Sequence, residues 1–152
     1  MKAEGTNPSS SLPQTRVYNA SRLLHSKSLE LEESIGQNIP PYAILSHTWG
    51  KEEVFFQDLQ TDEAPKNAGY QKILHCWKKQ RETDFRGGFE YAWVDTCCID
   101  KTSSSELSEA IDSMYRWYQE AGVCYVYLSD VSNVSSIGSE LEGIEVALTV
   151  SR

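Results

Sequence analysis

The chain has 152 residues, of which 39% are hydrophobic and 24% are charged. This length and balance are typical of one folded domain with its own core, and they exclude a chain that is disordered throughout. The formal net charge is -8, from 14 basic and 22 acidic residues. An acidic surface is repelled by nucleic acid and by anionic membranes, so neither is expected as a partner.

The amino-terminal segment is polar. Residues 1–21 are rich in Ser, Pro, Asn and Thr, which predicts a disordered tail. They contain no apolar run of the kind that a signal peptide needs, and no stretch of the chain approaches the roughly 20 apolar residues that span a bilayer. We therefore expect a cytoplasmic protein that does not enter a membrane.

The next elements are short strands. Residues 22–24 and 29–32 predict one or two edge strands, and Pro40 and Pro41 then exclude a helix. Residues 43–45 form a continuous apolar run, which is typical of a central strand that is covered on both faces. The segment 54–59 has no clear period, and we expect it to be irregular.

Helices and strands then alternate. Apolar residues spaced three and four apart predict helices over residues 65–83 and 103–121, and Ser103 with Glu106 fits a capping box at the second start. Strands are predicted over 89–94 and 123–128. A weak strand is predicted over 144–150, but the pattern does not predict its position in the sheet. This order predicts an α/β fold with a parallel sheet, because successive strand–helix–strand units build one.

Polar and aromatic residues follow the first predicted central strand. Ser46, His47, Trp49 and Gly50 stand where ligand crevices form in open α/β sheets. His47 can donate to a phosphate or carbonyl, and Trp49 can stack on a nucleobase. The alternative is a structural turn, with His47 satisfied by a nearby carbonyl and Trp49 covering the core.

Carboxylates and a serine follow the other two strands. Asp95 and Asp100 flank the end of the second, and Ser129 and Asp130 end the third. Paired carboxylates can hold a ribose, a cation or a proton in transit. The structural alternatives are that Asp95 accepts backbone N–H groups and that Asp100 caps the second helix.

The four cysteines do not predict a metal centre. They are Cys76, Cys97, Cys98 and Cys124, and without a secretory signal we expect reduced thiols packed as small hydrophobes. The adjacent pair is expected on a strand, with side chains on opposite faces. No C-x-x-C, P-loop or dinucleotide-binding glycine pattern is present, so no metal is expected and those nucleotide sites are excluded.

Several long motifs resemble a known family. They are Arg22-Leu-Leu, Tyr42-Ala-Ile-Leu-Ser-His-Thr-Trp-Gly50, Tyr91-Ala-Trp-Val-Asp-Thr-Cys-Cys-Ile-Asp100, Glu106-Leu-Ser-Glu-Ala-Ile111 and Tyr125-Val-Tyr-Leu-Ser-Asp130. In this order they resemble the fungal heterokaryon incompatibility (HET) domain over residues 22–131. Residues 132–152 depart from it and are expected to form a divergent tail.

The resemblance implies both a fold and a function. It implies a three-layer, parallel-sheet fold like those of flavodoxin and Toll/interleukin receptor (TIR) domains. It also implies a signalling and assembly module for fungal non-self recognition and programmed cell death, with protein partners or self-association. Some TIR domains cleave NAD, so NAD is the substrate that the resemblance suggests.

One segment of the family pattern is missing. The family has a motif of the form R-G-W-T-L-Q-E-L after the third strand, and its Glu corresponds to the TIR glutamate for NAD cleavage. Here the chain continues without that motif; Glu140, Glu142 and Glu145 lack its context. We therefore expect a HET domain that is incomplete at its C-terminal end, and we assign no catalytic residue. An NAD-cleaving hydrolase and a non-functional fragment remain the alternatives.

Overall fold

A computed structural model of the chain describes residues 21–34, 38–61, 68–83, 88–128 and 144–148. The helices and strands follow in the order β1 (Ser21–His25), β2 (Leu31–Ser34), β3 (Tyr42–His47), a 3-10 turn (Asp58–Gln60), α1 (Ala68–Thr83), β4 (Tyr91–Val94), α2 (Ser104–Glu120), β5 (Val123–Leu128) and β6 (Ile144–Leu148). Each of these strands and helices overlaps a predicted one. The prediction of edge strands is correct for β2 but wrong for β1, which pairs with β2 on one side and β4 on the other. The predicted amino-terminal tail lies outside the described residues, apart from Ser21 at the start of β1.

The strands form one mixed sheet in the order β2-β1-β4-β3-β5-β6. β3 lies between β4 and β5 and is parallel to both. β1 is antiparallel to β2 and β4, and β6 is antiparallel to β5. The prediction of a parallel sheet is therefore wrong outside the three central strands. Parallel strands are joined by long crossovers, such as those that contain α1 and α2, whereas the short turn between β1 and β2 makes an antiparallel hairpin.

The two helices contact different faces of this sheet. On α2, Trp117 packs against Trp93 of β4 with ring centroids 5.1 Å apart, and its carbonyl accepts from the Tyr42 hydroxyl at 2.6 Å. On α1, Lys72 Nζ lies 2.9 Å from His47 Nδ1. Tyr42 and His47 belong to the same strand and are an odd number of residues apart, so their side chains point to opposite faces.

The core lies on both sides of the central strands. Its largest fully buried side chains are Trp77, Trp93, Leu23, Leu24, Ile44, Leu45, Val54 and Val94. All four cysteines are free and buried among them, which confirms that they pack as small hydrophobes. Cys97 and Cys98 lie in the turn after β4 rather than on the strand. A hydrogen bond with Cys98, together with burial, raises the pKa of the Cys97 thiol well above its ordinary value.

Half of the predicted capping box is present at the start of α2. The Ser103 hydroxyl accepts from the backbone N–H of Glu106 at 3.4 Å. The Glu106 carboxylate does not bond back to Ser103; it accepts from the Asp100 N–H at 2.7 Å and from the Arg22 guanidinium. This carboxylate therefore links β1 to the first turn of α2.

The first turn of α1 is pressed against the loop that follows β3. The backbone N–H of Gly69 donates to the Glu52 carbonyl at 2.8 Å. A Cβ atom at Gly69 would lie 2.6 Å from that carbonyl oxygen and 2.9 Å from the backbone nitrogen of Val54. Because both atoms belong to the backbone, neither can rotate away, and only glycine fits.

We predict that Gly69→Ala lowers the free energy of unfolding by about 1–3 kcal/mol, the usual cost of overpacking. Helix propensity acts in the opposite direction, since alanine is favoured over glycine by about 1 kcal/mol. Urea unfolding measures the change. The exposed α2 variant Ser108→Ala is the control and should shift stability by no more than about 0.5 kcal/mol. A Gly69→Ala variant more stable than wild type would contradict the close approach.

Candidate functional site

Three of the predicted site residues meet at one edge of the sheet. His47 is the last residue of β3 and Asp95 directly follows β4, and the parallel pairing of these strands sets both at their carboxyl ends. His47 Nε2 lies 3.1 Å from Asp95 Oδ1. Trp49 Nε1 donates to the other carboxylate oxygen, Oδ2, at 2.9 Å. The Asp95 carboxylate thus contacts the side chains of His47 and Trp49. This differs from the structural alternative, in which it would accept from backbone N–H groups.

Two residues that the sequence did not single out extend this contact into the protein. Lys72 Nζ lies 2.9 Å from His47 Nδ1 and donates to Glu53 Oε1 at 2.6 Å. The side chains of His47, Glu53 and Lys72 are 1%, 3% and 10% exposed. We call Glu53, Lys72, His47 and Asp95, in this order of contact, the buried polar chain.

The partners of His47 assign its tautomer. A lysine ammonium has donors but no acceptor, so His47 Nδ1 accepts from Lys72. The Asp95 carboxylate only accepts, so His47 Nε2 carries the proton and donates. With these partners the ring carries its proton on Nε2, and Glu53 Oε2 also lies 3.8 Å from Nδ1.

The environment of Asp95 favours its ionised form. Burial would raise the pKa of Asp95, but the hydrogen bonds and charges around it hold the pKa below its ordinary value of 3.8. The contributors are His47, Trp49 and the Lys101 ammonium. Lys101 also donates to the Asp95 backbone carbonyl, and partial burial lowers the pKa of this lysine.

Trp49 is anchored and yet exposed. It is 55% exposed, so it does not cover the core. Its indole N–H is held by Asp95, the Lys101 ammonium lies 4.6 Å from the ring centroid, and Phe55 meets the ring edge-on at 6.5 Å. These contacts fix the orientation of a large apolar plane at the surface.

A cleft of about 350 Å³ opens beside this cluster. It is lined by Thr48, Trp49, Gly50, Lys51, Glu52, Glu53, Ala68, Gly69, Lys72 and Tyr127. Its walls are the loop after β3, the first turns of α1 and the end of β5. This volume is within the range of small-molecule sites, roughly 300–1,000 Å³.

Gly50 joins the cleft, but Ser46 does not. The backbone N–H of Gly50 donates to Glu53 Oε1, and this glycine lines the cleft. Ser46 directly precedes His47 on β3, so its side chain points to the opposite face of the sheet, the face that α2 covers. Ser129 and Asp130 lie outside the described residues.

Asp100 belongs to the turn before α2. Its carboxylate accepts from the Thr102 N–H at 3.0 Å, from the Thr102 hydroxyl at 2.6 Å and from Gln57 Nε2 at 2.7 Å. These hydrogen bonds lower the pKa of Asp100, those from Thr102 most strongly. The helix cap is Ser103, so Asp100 neither caps α2 nor lines the cleft.

Of the two residues that the sequence analysis did not single out, Lys72 had a weak signal in the sequence. Lys72 follows Gly69 by three positions and precedes Cys76 by four, so it lies on the inward stripe of α1 rather than on its solvent face. Glu53 had none, because it lies in the loop after β3, outside every predicted helix and strand.

No group of three His, Cys, Asp or Glu side chains in the described part of the chain is arranged to hold a metal ion. Nor does any described helix have the length and apolar character needed to cross a bilayer.

The site lies within a region that matches a known family. The family model for the heterokaryon incompatibility protein (HET) matches residues 42–146, which run from β3 into β6. The chain therefore belongs to the heterokaryon incompatibility family.

A curated relative is the vegetative incompatibility protein HET-E-1 of Podospora anserina, to which the chain is 56% identical over 96 residues. The match covers 62% of this chain but only 7% of that protein. No solved structure matches the chain.

We predict that Lys72→Met lowers the free energy of unfolding by about 3–5 kcal/mol, because it leaves the Glu53 carboxylate buried without its cation. The double variant Glu53→Gln with Lys72→Met removes both charges and should recover much of this loss. Urea unfolding of both variants tests the pair. If the double variant is less stable than Lys72→Met, the two side chains do not depend on each other.

The stabilising effect of Asp95 should depend on pH. Its folded-state pKa is lowered, so the ionised carboxylate stabilises the fold above the ordinary pKa and this contribution is lost as the pH falls through the folded-state value. Asp95→Asn should therefore be less stable than wild type at neutral pH. The gap should close below about pH 4, near the ordinary carboxyl pKa. A gap that stays constant down to acid pH would contradict the assignment.

Proposed function

We propose that the chain acts as a signalling module in fungal heterokaryon incompatibility, where it contributes to non-self recognition and triggers cell death. The observation that carries this proposal is the family match over residues 42–146. The matched segment includes every described residue of the buried polar chain and of the cleft. The relative is named as a vegetative incompatibility protein, which supports the same role.

We further propose that the cleft is the part of the module that senses a ligand. The support is that Glu53 and Lys72 are buried near the carboxyl ends of the central strands. Removing these charges from water is costly, and buried charged side chains concentrate at functional sites. The anchored and exposed indole of Trp49 stands at the rim of the same cleft.

The arrangement of the central strands supports a finer description of the fold. The order β4-β3-β5 is the chain order 2-1-3 of its three parallel strands, with one helix in each crossover. Flavodoxin-like folds share this order and bind ligands where the strand order reverses, outside the carboxyl ends of the first and third strands. We propose a three-layer fold of this kind, in which the cleft beside β3 and β5 is the corresponding crevice.

The module would act in the cytoplasm through protein partners or further copies of itself. In support, two large apolar side chains are exposed on α2, Ile111 at 63% and Tyr115 at 75%. They are one helical turn apart and so form one contact patch.

Induced expression of the chain in a filamentous fungus tests this function. We expect loss of hyphal viability, scored with a vital dye at matched protein levels. Asp95→Asn should remove most of the killing, because it alters the acceptor of His47 and Trp49. The control Glu30→Gln changes an exposed carboxylate in the turn between β1 and β2 and should kill like wild type. Hyphae that accumulate the folded wild-type chain and stay viable would contradict the proposal.

A further inference from the structure

We infer that the cleft binds an uncharged planar heterocycle with an exocyclic carbonyl oxygen, its ring stacked on Trp49 and its oxygen accepting a hydrogen bond from Lys72. A purine-type base with an oxygen substituent has this chemistry. The inference rests on the proposed function, since it names the ligand class of the cleft that the module would use.

Trp49 supplies the argument for a planar ring. Its only polar atom, Nε1, already donates to Asp95, so the indole offers a ligand the apolar face that Lys101 does not cover. Lys101 and Phe55 hold the ring in place, which means that little side-chain entropy is lost when a ligand binds. An exposed aromatic plane held in this way is suited to stacking, which favours offset parallel rings.

Lys72 supplies the argument for an acceptor oxygen. An ammonium has three N–H donors, and those of Lys72 meet Glu53 and His47. Within the described ranges no third acceptor contacts Lys72 Nζ, which lies 5.4 Å from the centre of the Tyr127 ring. Lys72 and Tyr127 both line the cleft, so a ligand atom that reaches this nitrogen must accept a hydrogen bond.

The charges of the cleft argue for a neutral ligand. Lys72 is balanced by Glu53 at 2.6 Å, and the other charged lining residues are Lys51 and Glu52. The lining therefore carries two charges of each sign. An anion near Lys72 would be repelled by Glu53, and a cation would meet the ammonium. A carbonyl oxygen can accept from Lys72 without either cost.

A matched pair of nucleosides tests the oxygen. Inosine and adenosine share the purine ring and ribose but differ at C6, where inosine has a carbonyl oxygen and adenosine an amino group. We expect titration calorimetry of the purified chain to give about tenfold tighter binding of inosine, the discrimination expected from one hydrogen bond to a charged donor. Inosine monophosphate should bind within a few-fold of inosine. A far tighter monophosphate would overturn the neutral-ligand assignment.

Variants separate the two contacts. Trp49→Ala should abolish inosine binding, whereas Trp49→Phe, which keeps a ring, should retain it. The double variant Glu53→Gln with Lys72→Met, which leaves no unpaired charge, should lose the preference for inosine over adenosine. Tyr115→Ala removes an exposed aromatic residue from α2 and should bind like wild type. Circular dichroism spectra identical to that of wild type would establish that each variant is folded.

Three results would overturn the inference. They are no binding of inosine at about 1 mM, a concentration that would detect even weak ligands, equal binding of adenosine and inosine, and unchanged binding by Trp49→Ala. None of them bears on hyphal killing, which is scored without added nucleoside. A chain that kills hyphae but ignores inosine would refute the ligand class alone, and one that binds inosine without killing would refute the signalling role alone.

Discussion

The pairing of Glu53 with Lys72 inside the protein is the interaction on which the site depends. Neither charge is tolerable there without the other, because removing an ion from water costs several kcal/mol. Together they join the loop after β3 to α1, and through His47 they reach the ends of β3 and β4. The close approach at Gly69 brings that loop and that helix together.

The buried polar chain also explains how the exposed side chain of Trp49 is held in one orientation. Lys72 donates to one nitrogen of His47, so the other nitrogen must donate to Asp95. Asp95 then has its second oxygen available for Trp49. An apolar core of the same volume would be at least as stable, but it would not determine which atom of the rim donates and which accepts. We infer that the buried polar chain contributes to binding specificity rather than to stability.

The sequence predicted the elements well because they are governed by local patterns. The apolar spacing of α2, the short buried run of β3 and the alternation of helices and strands all appear in the structure where they were expected. Strand direction was less predictable. The pairing of β1 with β4, and of β6 with β5, joins segments far apart in the chain, and no local pattern encodes it.

The site was predictable in the same uneven way. Strand ends indicated His47, Trp49 and Asp95, which do meet. Ser46 was grouped with them although neighbouring residues of a strand point to opposite faces, a rule that already separated it from His47. Glu53 could not be found from the sequence, because a buried carboxylate is recognisable only once its cation is beside it.

The protonation of His47 is the most direct measure of this account. Nitrogen-15 NMR of the imidazole side chains distinguishes the two neutral tautomers from the doubly protonated ring, and a His47→Gln variant assigns the signal among the three histidines of the chain. We predict a proton on Nε2 and none on Nδ1. A proton on Nδ1, alone or in a doubly protonated ring, would mean that Lys72 does not donate to His47, and the buried polar chain would not exist as described.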